Sequence, residues 1–248
     1  MLRTCLVAAL ALGAVQLVPN SPRAADAALP KAEIEQIVRD YLLREPEVIY
    51  QAIQELQKRQ QAAEAERQQT AIVERADEIF RHADDPIVGN AAGDVTLVEF
   101  FDYHCGYCRS MVGNLRNLVD GDKQLRFVMK ELPVLGPDSI TAAKAALAAS
   151  KLDPAKYYDF HLALMQSKDL GLETVLKVAA AEGYDSQALK TEMGAAWIQE
   201  RLDANHALAE SLGINGTPSF VIGKTLIPGA VDIGRLAQLV TDERQTAQ

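Results

Sequence analysis

The feature that most constrains this chain is the pair Cys105 and Cys108, set three residues apart where the apolar run Val95 to Phe101 gives way to helix-forming sequence. At a helix N-terminus the unpaired backbone N–H groups and the positive end of the macrodipole stabilise an anion, so Cys105 is expected to ionise more readily than a free thiol. A thiolate attacks disulfides. Cys108, one helical turn on, is near enough to close an intramolecular disulfide and expel the partner that Cys105 has captured. The bland readings of the same spacing are a zinc half-site, a structural disulfide and chance. A zinc site needs two further ligands, and His82, His161 and His206 stand alone in the sequence. A disulfide closing so short a loop adds little stability. Redox chemistry is the expectation.

With 248 residues, 48% of them hydrophobic and 24% charged, the chain has material for one domain and an appendage. Its net charge of -9 leaves no basic surplus to neutralise phosphates, which argues against a nucleic-acid partner. Residues 1–25 read as a secretory signal peptide: Arg3, an apolar run from Leu6 to Val18, then Pro19, Pro22 and the small residues Ala24 and Ala25. The run is short for a membrane-crossing helix, though a retained anchor is the alternative. Cleavage there removes Cys5 and, with the loss of Arg3 and Arg23, takes the net charge from -9 to -11. Cys105 and Cys108 would then be the only cysteines of a chain sent to an oxidising compartment.

Residues 26–83 form a compositionally distinct extension, rich in Gln, Glu, Ala and Arg. Ile34, Ile37, Val38, Tyr41 and Leu42 keep a helical stripe, and Pro46 suits the first turn of a second helix carrying Ile49, Ala52, Ile53 and Leu56. Beyond Gln57 the stripe fades, so 57–80 is expected to be a polar helical or flexible connector. The apolar half needs something to pack on. It is either the surface of the main domain or, as the sharper reading, other copies of the chain.

Residues 84–248 read as one domain. Ile87 to Gly89 is a short strand, Val95 to Phe101 a buried one, Leu125 to Lys130 another after the helix that follows the cysteines. Four alanine-rich helical stretches follow, Thr141 to Lys151, Pro154 to Gln166, Leu172 to Gly183 and Ser186 to Leu212, an insertion of about 137–212, with Trp197 anchoring the last. The strands Ser219 to Ile222 and Thr225 to Ile227 and a helix capped by Asp232 close the chain. Alternation along Val95 to Phe101 places Glu99 with Leu97 and Phe101. A carboxylate there is costly unless paired or protonated, and a group so poised can exchange a proton with Cys108. An edge position with Glu99 in water is the alternative. His161, on an apolar helix face, reads as a satisfied core residue.

Cys105-Gly106-Tyr107-Cys108 at a strand–helix junction, with Thr217-Pro218 ahead of a hairpin and a final helix, resembles the thioredoxin superfamily, and the helical insertion resembles its DsbA-type branch. Val98 to Tyr103, Leu132-Pro133-Val134-Leu135-Gly136 and Gly216 to Val221 are similar to the suppressor-of-copper-sensitivity C (ScsC) group. The resemblance implies an α/β thioredoxin fold with an inserted helical domain and an N-terminal helical oligomerisation extension. It implies Cys105 as exposed nucleophile, Cys108 as resolving thiol, a cis Pro218 facing the pair, Glu99 as buried carboxylate and Thr217 offering backbone groups to substrate. Gly106 and Tyr107 match the pair found in the isomerase DsbC, and His104 either tunes the neighbouring thiolate or is a loop residue.

The function these readings imply is a periplasmic thiol–disulfide oxidoreductase, an isomerase or reductase, with no cofactor beyond the redox-active Cys105–Cys108 disulfide. Its expected partners are proteins with cysteines, a membrane reductase of the ScsB/DsbD type and further copies of the chain, a trimer by resemblance. Two alternatives stay open. One is a dithiol oxidase of the same fold. The other is a Cu(I)-binding copper-tolerance protein using Cys105, Cys108 and His104, since soft thiolates suit Cu(I).

Overall fold

The computed structural model describes residues 29–246, so the expected signal segment and Cys5 lie outside the described residues. In chain order the elements are α1 (Lys31–Arg44), α2 (Glu47–Glu74), α3 (Ala76–Phe80), β1 (Ile87–Gly89), β2 (Val95–Phe101), α4 (Gly106–Gly121) and β3 (Leu125–Glu131). There follow α5 (Pro137–Leu152), α6 (Tyr157–Gln166), α7 (Leu172–Ala181), α8 (Ser186–Glu192), α9 (Ala196–Ser211), β4 (Ser219–Ile222), β5 (Thr225–Pro228) and α10 (Ile233–Thr246).

The chain divides into two units at the Lys58/Arg59 junction. In the first, α1 buries none of its residues. The stripe Ile34, Ile37, Val38, Tyr41, Ile49, Ile53 and Leu56 is 42–55% exposed. Pro46 sits just ahead of α2, where its missing N–H costs nothing, and the first turn closes through Ile49 N to Pro46 O at 3.1 Å.

The second unit starts earlier than the sequence boundary near 83. Ile72 and Ile79, 1% and 0% exposed, pack with Val98, Phe100, Val128 and Val221 on one face of the sheet. The expected polar connector is therefore partly core: its apolar residues are few, and Ile72 and Ile79 land on the sheet while Val73 stays 53% exposed. From β3, Lys130 Nζ donates to Glu78 O and Arg126 Nη1 to Phe80 O, tying α3 to the same face.

The strand order is β1-β3-β2-β4-β5. β2 and β3 are parallel and joined through α4, while β1, β4 and β5 run antiparallel to their neighbours. β2 is thus internal, which removes the edge-strand reading of Glu99. Its alternation holds on both faces: Leu97 and Phe101 join Met111, Leu115 and Leu236, and Val98 and Phe100 join Ile72 and Ile79.

Between β3 and β4 lie five helices rather than the expected four. The stretch from Ser186 breaks at Met193 to Ala195, where Gly194 N bonds Thr191 O and Ala195 turns extended at φ -67, ψ 139. Glycine is a poor helix former, and Trp197 fastens the break by donating Nε1 to Glu192 Oε1 at 2.7 Å. Ala142, Ala145, Ala146 and Ala149 on α5 are all 0% exposed and let its neighbours approach closely. Among the described residues no helix is long and apolar enough to cross a membrane.

Candidate functional site

Cys105 is the N-cap of α4, with φ -68 and ψ 115, and its sulfur accepts a hydrogen bond from Cys108 N at 3.4 Å. The two side chains are separate thiols. Across 112 residues of sequence, the Cys105 thiol donates to Thr217 O at 3.2 Å, and the Thr217–Pro218 peptide is cis, as expected. Gly229 N bonds Pro218 O at 2.8 Å and Ser219 Oγ bonds Gly216 O at 2.8 Å, so the end of β5 and the start of β4 hold the proline loop against the cysteines.

One expectation needs correction. Cys105 was expected to be exposed, yet it is only 5% accessible, against 1% for Cys108. The proline loop lies over the sulfur. What the surface presents is the linking pair: Tyr107 is 70% exposed and a Cβ on Gly106 would meet nothing within 4 Å. Beside them Tyr107, Asn215, Thr217, Pro228 and Gly229 line a groove of about 440 Å³. His104 is exposed, with its backbone N bonded to Asp102 Oδ1. Among the described residues no three His, Cys, Asp or Glu side chains gather as a metal set.

Glu99 is 2% exposed. Burial, and then the charge of Cys105, push its carboxyl up to about 8. Burial, and then the Glu99 charge, push the Cys108 thiol far above the usual range. The two groups compete for charge in one apolar space, so Cys108 can lose its proton only as another group gains it.

Two residues that the sequence reading passed over complete the site. Asp102, 1% exposed, accepts from His104 N and Ser139 Oγ at 2.7 Å each, and from Val134 N and Leu135 N at 2.8 and 3.0 Å. It ties the loop before Cys105 to the Leu132–Gly136 segment. Gly136, at φ +118, gives that segment the bend that carries it into α5. Glu131, 0% exposed, lies within 3.2 Å of the Tyr103 hydroxyl. The alternation that flagged Glu99 also flags Glu131, which follows Phe127 and Met129 on one face of β3. Asp102 carried a weaker signal, an Asx turn closing on His104.

The sequence matches the family described as DsbA-like thioredoxin domain over residues 96–241, and the Copper resistance protein ScsC N-terminal domain over 31–63. A thioredoxin-like oxidoreductase from Silicibacter pomeroyi is 42% identical over 68% of this chain and 97% of its own, with a TM-score of 0.65. Proteus mirabilis ScsC in a transitional conformation is 29% identical over 87% of this chain and 97% of its own, with a TM-score of 0.66. Among curated proteins, the Na(+)/H(+) antiporter NhaA of Herminiimonas arsenicoxydans is 27% identical over 65% of this chain. The chain spans only about a quarter (26%) of that antiporter's length. The domain match covers more than half of the 248 residues and agrees with the site geometry, so the chain belongs to the DsbA-like thioredoxin family.

Proposed function

We propose that this protein is a periplasmic thiol–disulfide oxidoreductase that acts on protein disulfides, as an isomerase or reductase. One observation carries the reading: the Cys105 sulfur lies between the first-turn Cys108 N–H and the Thr217 carbonyl of the cis-proline loop. A substrate strand laid along Thr217 brings its disulfide onto Cys105. The Cys105 thiolate attacks one substrate sulfur, the substrate disulfide breaks and a mixed disulfide forms. Cys108 then attacks Cys105, giving up its proton to Glu99, and the substrate leaves as a thiol. The chemistry needs no cofactor beyond the Cys105–Cys108 pair, and a membrane reductase of the ScsB/DsbD type would return the disulfide to dithiol.

The isomerase direction is supported by the first unit. Its exposed apolar stripe and its match to an ScsC N-terminal domain fit assembly into a trimer, which would set several active sites around one substrate. The periplasmic setting is supported by the segment before Ala25 and by the cysteine pair left after its removal.

The test is refolding of scrambled ribonuclease by the full chain and by a chain beginning at Arg59, with sedimentation mass recorded for both. The second unit keeps Ile72 and Ile79, so it retains its core. The expected result is an oligomer whose isomerase activity disappears on truncation. A full-length monomer that only oxidises dithiols would replace this reading with the dithiol oxidase. A stoichiometric Cu(I) complex lost on Cys105→Ser, with no isomerase activity, would replace it with copper binding.

A further inference from the structure

Glu99 must lose the proton it takes from Cys108, yet it is buried, and a substrate docked over Cys105 closes the nearest route to water. The face of the sheet that carries Glu99 holds a second carboxyl group. Glu99 is paired with Met129 across the parallel strands, and Glu131 stands two residues further along β3, a diagonal neighbour on the same face. Glu131 Oε1 is 3.2 Å from the Tyr103 hydroxyl, which is 3.0 Å from His161 Nδ1. The Tyr157 ring lies 6.1 Å from that of His161, and its hydroxyl raises the Tyr103 hydroxyl electrostatically without a hydrogen bond between them. Among the described residues, Glu131 Oε2 and the hydroxyls of Tyr157 and Tyr158 are buried with no hydrogen-bond partner.

The charged groups around this cluster fix its protonation. The charges acting on Glu131 are those of Asp102 and Glu99, and both raise it. The cations nearby are committed elsewhere: Lys130 bonds Asp85, Arg201 bonds Asn205, and Arg109 Nε bonds the Tyr103 carbonyl. Asn205 of α9 reaches only the Glu131 backbone carbonyl. Buried without a cation, Glu131 holds a proton; burial also keeps His161 neutral, pushed down to about 3. One arrangement then satisfies the chain: Glu131 donates to Tyr103 O, and Tyr103 donates to His161 Nδ1, the imidazole proton being on Nε2. Tyr157 forms part of the wall of a cleft of about 320 Å³ lined also by Pro86, Ile87, Ser150, Lys151 and Trp197. It shares no residue with the groove beside Tyr107.

We propose that Glu131, Tyr103 and Tyr157 relay the Cys108 proton from Glu99 to the cleft at Trp197, on the side of the molecule that substrate does not cover. The relay rests on the thiol–disulfide reading above and deepens it. Below about pH 8 Glu99 starts protonated and must first empty through the relay. Then the Cys108 S–H bond breaks, its proton joins the Glu99 carboxylate, the Cys105–Cys108 bond forms and the substrate thiolate leaves with the electron pair of the mixed disulfide. Before resolution and again after it, Glu99 passes a proton through one bridging water to Glu131 Oε2 while Glu131 gives its own to Tyr103. Tyr103 turns its O–H from His161 Nδ1 to hand a proton to Tyr157, whose hydroxyl is buried at rest and releases one to a water entering from the cleft. Each relay group ends neutral, as it began.

The test is single-turnover oxidation of the reduced full chain by oxidised glutathione, followed by stopped flow from pH 6 to pH 9. Mixed-disulfide formation at Cys105 and resolution by Cys108 appear as separate phases. Tyr103→Phe and Tyr157→Phe are expected to slow resolution about tenfold at pH 6.5 and less than about twofold at pH 9, where Glu99 starts ionised. Attack by Cys105 keeps its rate. Unchanged resolution at pH 6.5, a deficit equal at both pH values, or a deficit in Tyr158→Phe in place of Tyr157→Phe overturns the relay. Should Tyr103→Phe fail to fold, Tyr157→Phe, at the cleft wall, decides alone. Failure of the first phase in the unaltered chain would instead overturn the oxidoreductase reading.

Discussion

β3 ends on two buried ionisable residues that face opposite ways, and the sheet treats them differently. Lys130, 0% exposed, points toward α3 and bonds Asp85, whose other oxygen lies 3.4 Å from Arg201 Nε. Charge on that face is opposed by an ion pair, and burial pushes Lys130 down to about 8, so it holds its charge up to that pH. Glu131 points with Glu99 toward the cysteines, where the charges felt by Glu131 come from other carboxyl groups and the two acids are neutralised by protons. A core neutralised by ion pairs is scaffold. A core neutralised by protons can change its charge when a thiol is oxidised, and that is the face on which Cys105 and Cys108 lie.

The comparison breaks most visibly at Asp85. Asp85→Asn leaves Lys130 and Arg201, 0% and 4% exposed, without their shared anion. Removing one partner of a buried ion pair costs about 3–5 kcal/mol, because the remaining charge is stranded. Urea unfolding at pH 7 should show that loss, easing as Lys130, pushed down to about 8 by burial, gives up its proton. A loss under about 1 kcal/mol would mean that the cluster is hydrated and is no scaffold.

Next comes Glu99→Gln, which should act in two ways. Resolution by Cys108 slows by about a hundredfold near pH 7, the usual scale for loss of a general base. The fold responds in the opposite direction. Glu99 has an ordinary value of 4.5 and a folded value of about 8. Between those values the unfolded chain has released a proton that the folded chain keeps, so folding stability falls as the pH rises. The slope is about 1.4 kcal/mol per pH unit for one proton. Replacing Glu99 with the neutral amide removes this loss, so the variant should gain on the unaltered protein by roughly a few kcal/mol at pH 8. A variant equally stable at pH 5 and pH 8 relative to the unaltered protein would place Glu99 in contact with water.

Much of this was legible in the sequence because it rests on local periodicities. Alternation in β2 put Glu99 on its face and the β2–α4 junction put Cys105 at a helix start, while the loop at Thr217-Pro218 was set opposite the cysteines by the resemblance to the thioredoxin superfamily. What was missed depends on contacts between distant segments. Ile72 and Ile79 are isolated apolar residues in polar helices, and only the sheet beneath them makes them core. The break at Gly194 turns on Trp197 reaching back to Glu192. Asp102 gathers donors from three separate segments, one of them 37 residues away, which no short-range pattern encodes. The cover over Cys105 comes from the carbonyl of Thr217, and a carbonyl carries no side-chain signature.

The smallest effect sharpens the comparison from the other side, through His161. It sits among Phe101, Tyr103, Tyr157 and Tyr158, with ring centroids 5.0–6.1 Å away. Burial pushes it from 6.5 down to about 3, so the folded chain keeps it neutral while the unfolded chain binds a proton below pH 6.5. Its contribution therefore falls as the pH drops below 6.5, opposite to that of Glu99 and Glu131. Between pH 4.5 and 6.5 the two acids each lose about one proton's worth of stability with rising pH and His161 restores one, leaving a net slope of about one proton. Above 6.5 His161 is neutral in both states, and the slope should double. In His161→Phe the doubled slope should extend down to pH 4.5, visible as a straight line where the unaltered protein shows a break. Proton NMR gives the direct check: the His161 ring signals should hold still from pH 4.5 to 8. A midpoint near 6.5 would put a cation into the proton-neutralised face and dissolve the distinction between the two sides of β3.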